Sequence, residues 1–160
     1  EAVRQAIYAH CVFRDAEQRP YFGWSVDLEG QHNVYDEPPG SLQLLPYYGF
    51  CAPDDEIWGN TVAMIRAPSY AYSFADAPIA EIGCAHAPYP WILSLCNSLL
   101  CGHKEQAFRE LEQMEMDNGI ACESVDPVLG TCTTGAAFAT CAGFLCHSMK
   151  QASKEAAHAD

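Results

Sequence analysis

The chain has 160 residues with 21 acidic and 8 basic side chains, a net charge of −13, and no run of about 18 apolar residues that could span a bilayer. The basic residues are scattered from Arg4 to Lys154, which argues against nucleic acid, because binding phosphates needs clustered Lys and Arg. With 49% hydrophobic and 11% aromatic residues the composition suits a packed, soluble domain, and a chain of this length can bury roughly 70% of its unfolded surface. It begins at Glu1 without Met and runs straight into a helix-like segment, so a truncated start is expected.

Residues 1–13 (EAVRQAIYAHCVF) place Val3, Ile7, His10 and Cys11 on one face at helical spacing, and RDAEQRP ends the run at a proline, so a helix is expected there. From Tyr21 to Tyr35 aromatic and β-branched residues flank a Leu28-Glu29-Gly30-Gln31 turn, which reads as a short hairpin capping a helical body. After DEPPG, SLQLLPYYGF reads as a short apolar helix started by Ser41 and stopped by Pro46 and Gly49. Asp54 is positioned to cap DEIWGNTVAMIRA, with Ile57, Val62 and Ile65 inward and Pro68 ending it. The segment SYAYSFADAPIAEIGCAHAPYP is long and irregular, and loops of about 20 residues in a compact domain are usually functional.

Three antiparallel helices are then expected at about 88–101, 103–117 and 135–150, the first pair joined by the short turn at Gly102-His103. The middle one is amphipathic, with Phe108, Leu111 and Met114 or Glu115 dividing its faces, whereas its neighbours are apolar nearly all round. Buried inner helices alternating with amphipathic outer ones point to a layered helical toroid. The nine cysteines form an odd set with no CxxC pair and sit in apolar runs such as WILSLCNSLLC, as expected for reduced, buried thiols of a cytoplasmic protein. The nearest metal-like spacing, Cys141, Cys146 and His147, is helical; no metal and no cofactor are expected.

Three connections could hold chemistry. DNGIACESVDPVLGTCTTG puts Glu123 at the mouth of buried helices, where a carboxylate can be tuned toward acid or base work, although a solvated loop acid or a helix cap fits the pattern as well. Asp36-Glu37 opens a turn stiffened by Pro38-Pro39, which turn chemistry alone would also explain. His86 is flanked by Tyr89 and Trp91 ahead of a helix, a setting equally suited to a structural hydrogen bond. Aromatic-rich connections (Trp24, Tyr35, Tyr70, Tyr72, Tyr89 and Trp91 among them) with isolated carboxylates suggest carbohydrate, whose apolar ring faces stack on aromatics while its hydroxyls pair with acids and His. There is no GxxxxGK[ST], GxGxxG, GxSxG or HExxH, which leaves nucleotide, serine-hydrolase and zinc-protease readings without support.

The ordered set of a hairpin, an acidic turn before SLQLLPYYGF, DEIWGNT, EIGCAHAPYPWILSL, a helix pair and DNGIACESVD before an apolar helix resembles the C-terminal part of glycoside hydrolase family 125, from about Tyr21 to Met149. That family comprises metal-independent exo-α-1,6-mannosidases with an (α/α)6 barrel. The resemblance implies a mainly α fold, the C-terminal part of such a barrel with a small β-hairpin, as one partial catalytic domain over 1–160. It implies that Glu123 is the general base of an inverting glycosidase, carried in the family by a histidine-glutamate-serine motif in which Cys122 here replaces His. Asp36 and His86 would be sugar-site residues, with Glu37, Tyr89 and Trp91 beside them as further substrate contacts. Gly83 matches the family's glycine, serine, proline, histidine turn, while Cys84, Ala85 and the Glu37-Pro38-Pro39 run depart from the usual residues. No position matches the family's general acid, which lies earlier in the barrel, so the chain alone is expected to be silent. A glucoamylase-like or trehalase-like (α/α)6 glycosidase, and a non-catalytic helical carbohydrate-binding or interaction module, are the competing readings.

Overall fold

Only a helix N-terminal to Cys11 survives the switch in pattern at Val12. The computed structural model describes residues 1–156, four short of the expected domain's end, with helix α1 over Ala2–His10 and strand β1 over Val12–Arg14. The expected helix to residue 13 is therefore too long. β1 pairs antiparallel with β2, Pro20–Phe22, in the register Val12↔Phe22. RDAEQRP is the turn between them: Asp15 Oδ1 accepts the Glu17 and Arg19 N–H groups at 3.0 and 2.8 Å, the local side-chain bonding by which Asp favours turns. The expected hairpin follows as β3, Ser25–Val26, and β4, His32–Asn33, with Asp27 Oδ1 accepting the Glu29 and Gln31 amides.

SLQLLPYYGF supplies only 3-10 turns, Pro38–Gly40 just before it and Leu42–Leu44 within it, the second capped by the Ser41 side chain, which accepts the Gln43 N–H. Helix α2 spans Glu56–Ile65, and its cap is Asp55 rather than Asp54, accepting from the Trp58 amide. Thr61, Val62 and Ile65 are its buried face.

Helix α3, Ile92–Leu100, is the centre of the molecule, buried from Ile92 through Leu99. It starts four residues later than expected because Pro88 and Pro90 belong to the connection and Trp91 is the N-cap. Helix α4, Lys104–Leu111, and helix α5, Ala139–Ala156, both pack against it. α4 ends six residues early. Met116, at φ 54°, leaves the helix to hydrogen-bond Gly130 and Cys132, and tertiary backbone pairing overrides its helical pattern. α5 starts four residues late because Gly135 and Ala137 both have positive φ. It is not apolar all round: Cys141, Leu145, Ser148 and Ala152 form a buried stripe at helical spacing, with Gly143, Cys146, His147 and Lys150 exposed opposite. A hairpin absent from the sequence expectations, β5 (Ser124–Val125) with β6 (Cys132–Thr134), occupies the polar connection, its turn tied by Asp126 Oδ1 to the Val128 and Leu129 amides.

The long loop before α3 is stitched down by buried polar groups. Arg66 Nη1 donates to Glu81 Oε2 at 3.1 Å and to Ser98 Oγ at 2.9 Å, and Nη2 to the Ala80 carbonyl. Ser94 Oγ donates to Glu81 Oε2 and accepts the Ile82 N–H. Glu81 has no exposure and Glu110 almost none; burial first, and the Glu81 charge second, push the Glu110 carboxyl above its ordinary range. Among the described residues, no helix is long and apolar enough to cross a membrane.

Candidate active site

The loop 83–91 folds back on itself and cannot do so without Gly83, where a Cβ would stand 2.6 Å from the Tyr89 carbonyl and 2.8 Å from its nitrogen. The Gly83 amide donates to Tyr72, the Cys84 amide to Ala87, and the Trp91 amide to Ile82, while Trp91 Nε1 donates to the Ala87 carbonyl at 3.1 Å. This leaves His86 at the tip with its side chain 60% exposed, set edge-on to Trp91 at 5.2 Å between ring centroids.

The turn 35–37 closes on this tip. Tyr35 Oη donates to Glu37 Oε1 at 2.5 Å and accepts the Ala85 N–H at 3.1 Å, so one phenol joins both segments. Burial, then the neighbouring Glu37 among opposing hydrogen bonds, pushes that phenol up to about 12, which keeps it a donor. Glu37 Oε2 lies 3.9 Å from His86 Nδ1, and Cys84 Sγ lies 3.3 Å from the same nitrogen. The turn is anchored to α3 by Asn97 Nδ2, which donates to the Pro38 carbonyl.

Asp36 faces the other way. Its carboxylate has no exposure, Oδ1 accepts the Leu42 N–H at 2.8 Å, its own N–H donates to Tyr70 Oη, and Oδ2 has no partner. Burial drives its carboxyl up to about 7, with Ser41 and the Leu42 amide pulling back.

Glu123 is half-buried and held by its backbone. Its N–H is shared between the Thr134 and Gly135 carbonyls, both at 3.1 Å, and its C=O accepts the Ile92 N–H that opens α3 at 3.0 Å. Gly135, at φ 57°, presses so close that a Cβ there would meet Glu123 Cβ at 2.5 Å. Ser124 bridges to Trp91, and the Val125 amide donates to the Pro90 carbonyl. No side-chain hydrogen bond holds the Glu123 carboxylate among the described residues. A half-buried, unbonded carboxylate on a clamped backbone can accept a proton from water.

His86 thus touches both Glu37 and Trp91, and Glu123 joins them through the backbone ladder between residues 123–125 and 90–92. Tyr89, next to that ladder in the chain, is exposed, and Asp36 is sealed behind the turn. Tyr35 and Cys84 are members of the cluster that the sequence expectations did not place there. Their only sequence signals are the position of Tyr35 directly before Asp36-Glu37 and the Cys-x-His spacing of residues 84 and 86. A cleft of about 640 Å3 lies on the α2 side, lined by Tyr35, Tyr70, Tyr72, Asn60 and Met64, and shares only Tyr35 with the cluster.

The sequence matches the profile of the metal-independent alpha-mannosidases (GH125) over residues 1–149. The chain belongs to that family. A solved metal-independent alpha-mannosidase from Streptococcus pneumoniae, in a non-productive substrate complex with alpha-1,6-mannobiose, matches with a TM-score of 0.77 and 21% identity over 94% of this chain. The chain spans 37% of the length of that GH125 protein, which shares its fold. No curated protein matches.

Proposed function

We propose that this GH125 chain is the C-terminal portion of an (α/α)6 catalytic domain that hydrolyses a terminal α-1,6-linked mannose with inversion, Glu123 acting as general base. The observation that carries this reading is the Glu123 carboxylate itself: free of side-chain partners, on a backbone fixed to the start of α3, in a family of alpha-mannosidases. In an inverting hydrolase the base and acid stand about 6.5–9.5 Å apart, leaving room for the water. Glu123 takes a proton from that water as its oxygen attacks the anomeric carbon, while an acid supplied by another part of the barrel protonates the leaving oxygen. Tyr89, 39% exposed, offers its ring to the sugar, and Glu37 and His86 pair with its hydroxyls, whereas Trp91, expected as a further contact, is only 3% exposed and serves by bracing the His86 imidazole from the core side. Asp36, sealed from solvent, acts by fixing the turn that presents Glu37 rather than by touching the sugar.

The anionic chain favours a neutral oligosaccharide over nucleic acid, and thiols such as Cys84, Cys96, Cys122 and Cys141 fit a reducing, cytoplasmic setting. No cofactor enters the reaction as proposed. With one carboxylate of the pair, the 160 residues alone are expected to be silent.

The test is hydrolysis of α-1,6-mannobiose by the whole enzyme that carries this chain, with the product anomer read by NMR. Glu123→Gln should lower turnover by about 10²- to 10⁴-fold or more with sugar binding largely kept. Unchanged turnover removes Glu123 from the mechanism, and a retained anomer rejects inversion.

A further inference from the structure

Glu37, Cys84 and His86 bring a carboxylate oxygen, a thiol sulfur and an imidazole nitrogen within 4.8 Å of one another. The sulfur and the oxygen stand 3.3 and 3.9 Å from His86 Nδ1. Ligands at about 2.3 Å (sulfur) and about 2.0–2.2 Å (nitrogen, oxygen) from a tetrahedral zinc ion lie about 3.3–3.7 Å from each other, so small side-chain shifts would complete the arrangement. Its surroundings suit a metal site. Tyr35 holds Glu37 by Oε1 and leaves Oε2 toward His86, and Trp91 braces the imidazole, the kind of support that orients ligands in metal centres. The exposed face of His86 gives an ion a path from solvent, while Cys84 is sealed beneath it.

We propose that Glu37, Cys84 and His86 bind a thiolate-preferring divalent cation of the zinc class, which then occupies the face assigned above to the sugar. Oxygen-preferring Mg2+ and Ca2+ do not suit a sulfur and nitrogen donor set. On binding, the Cys84 S–H bond breaks, the sulfur lone pair forms the metal bond, the proton leaves to solvent, and nothing is oxidised or reduced. Cys84 binds as its thiolate, which favours a metal that bonds sulfur strongly enough to displace the proton. The ion is a blocker rather than a participant in hydrolysis. Its overlap with the sugar rests on the proposed function; its binding does not.

Co2+ serves as the probe, added to the protein in a non-thiol reductant and then displaced by Zn2+. One equivalent should give a thiolate-to-cobalt charge-transfer band. That band should be lost in Cys84→Ser and weakened in affinity by more than the about 10- to 100-fold typical of losing a ligand's hydrogen-bond partner in His86→Gln, and unchanged in Cys146→Ser. His86 is exposed, so its variant reports even where the buried Cys84 change disturbs folding. No charge-transfer band, or an affinity unmoved by His86→Gln, overturns the site. Saturating α-1,6-mannobiose should weaken the metal. Cys84- and His86-dependent binding that ignores the sugar leaves the metal site standing and overturns both the overlap and the assignment of Glu37 and His86 to the sugar.

Discussion

Asp36 shows how a single side chain can serve a turn at a cost that depends on pH. Its buried carboxyl titrates near 7 in the folded chain against 3.8 for an ordinary Asp, so the folded state holds its proton more tightly than the unfolded state does. Between about pH 4 and about pH 7 the unfolded state ionises first, and the stability this group contributes is full below that window and lost as pH rises through it. Asp36→Asn keeps an oxygen for the Leu42 amide and cannot ionise. Urea denaturation from pH 4 to pH 8 should show the wild type losing stability relative to Asp36→Asn as pH rises; parallel profiles would mean that the carboxyl is not held protonated. The sequence placed Asp36 and Glu37 together at the site, and at this scale it could not separate them. Which of two adjacent acids turns inward is decided by Tyr35, Tyr70 and the Leu42 amide, two of them remote from any local pattern. The close approach of Gly135 to Glu123 was likewise invisible, because it joins residues twelve apart through a hairpin that no alternation announced.

The helices were legible where an apolar stripe or a cap sets them, and less so where backbone pairing competes. α2 and α3 are found near their expected places because Asp55, Val62, Ile65 and the run from Ile92 to Leu99 act locally. The ends of α4 and α5 shift because residues 116, 135 and 137 adopt positive φ to meet the β5–β6 region, and helical periodicity carries no signal for that. Element positions also depend on the buried Arg66–Glu81 pair, which fastens the loop before α3 to α2 and α3. Arg66→Met leaves Glu81 charged and sealed, and should destabilise the chain by about 3–5 kcal/mol. Arg66→Met with Glu81→Leu removes the stranded charge and should recover part of that loss in urea denaturation, since replacing a whole buried pair by apolar groups is often nearly neutral. A double variant no more stable than the single one would place the loss in the hydrogen bonds of Ser94 and Ser98 instead.

At the scale of the whole molecule, the mainly helical reading holds: among the described residues the helices are the longest elements, α3 is buried along nearly all its length, and α4 and α5 pack on it with one face each in the core. The Glu123 main chain is bonded on one side to β6 and on the other to the first turn of α3, the most deeply buried helix of the molecule. Many sites ride on loops that open locally well before the fold gives way, and stability is unevenly spread for that reason. Here the residue proposed as base shares its backbone hydrogen bonds with the core's central helix, so the two must open in one event. Heat should therefore erase the geometry around Glu123 and melt α3 at the same temperature, without an earlier, reversible softening of the site.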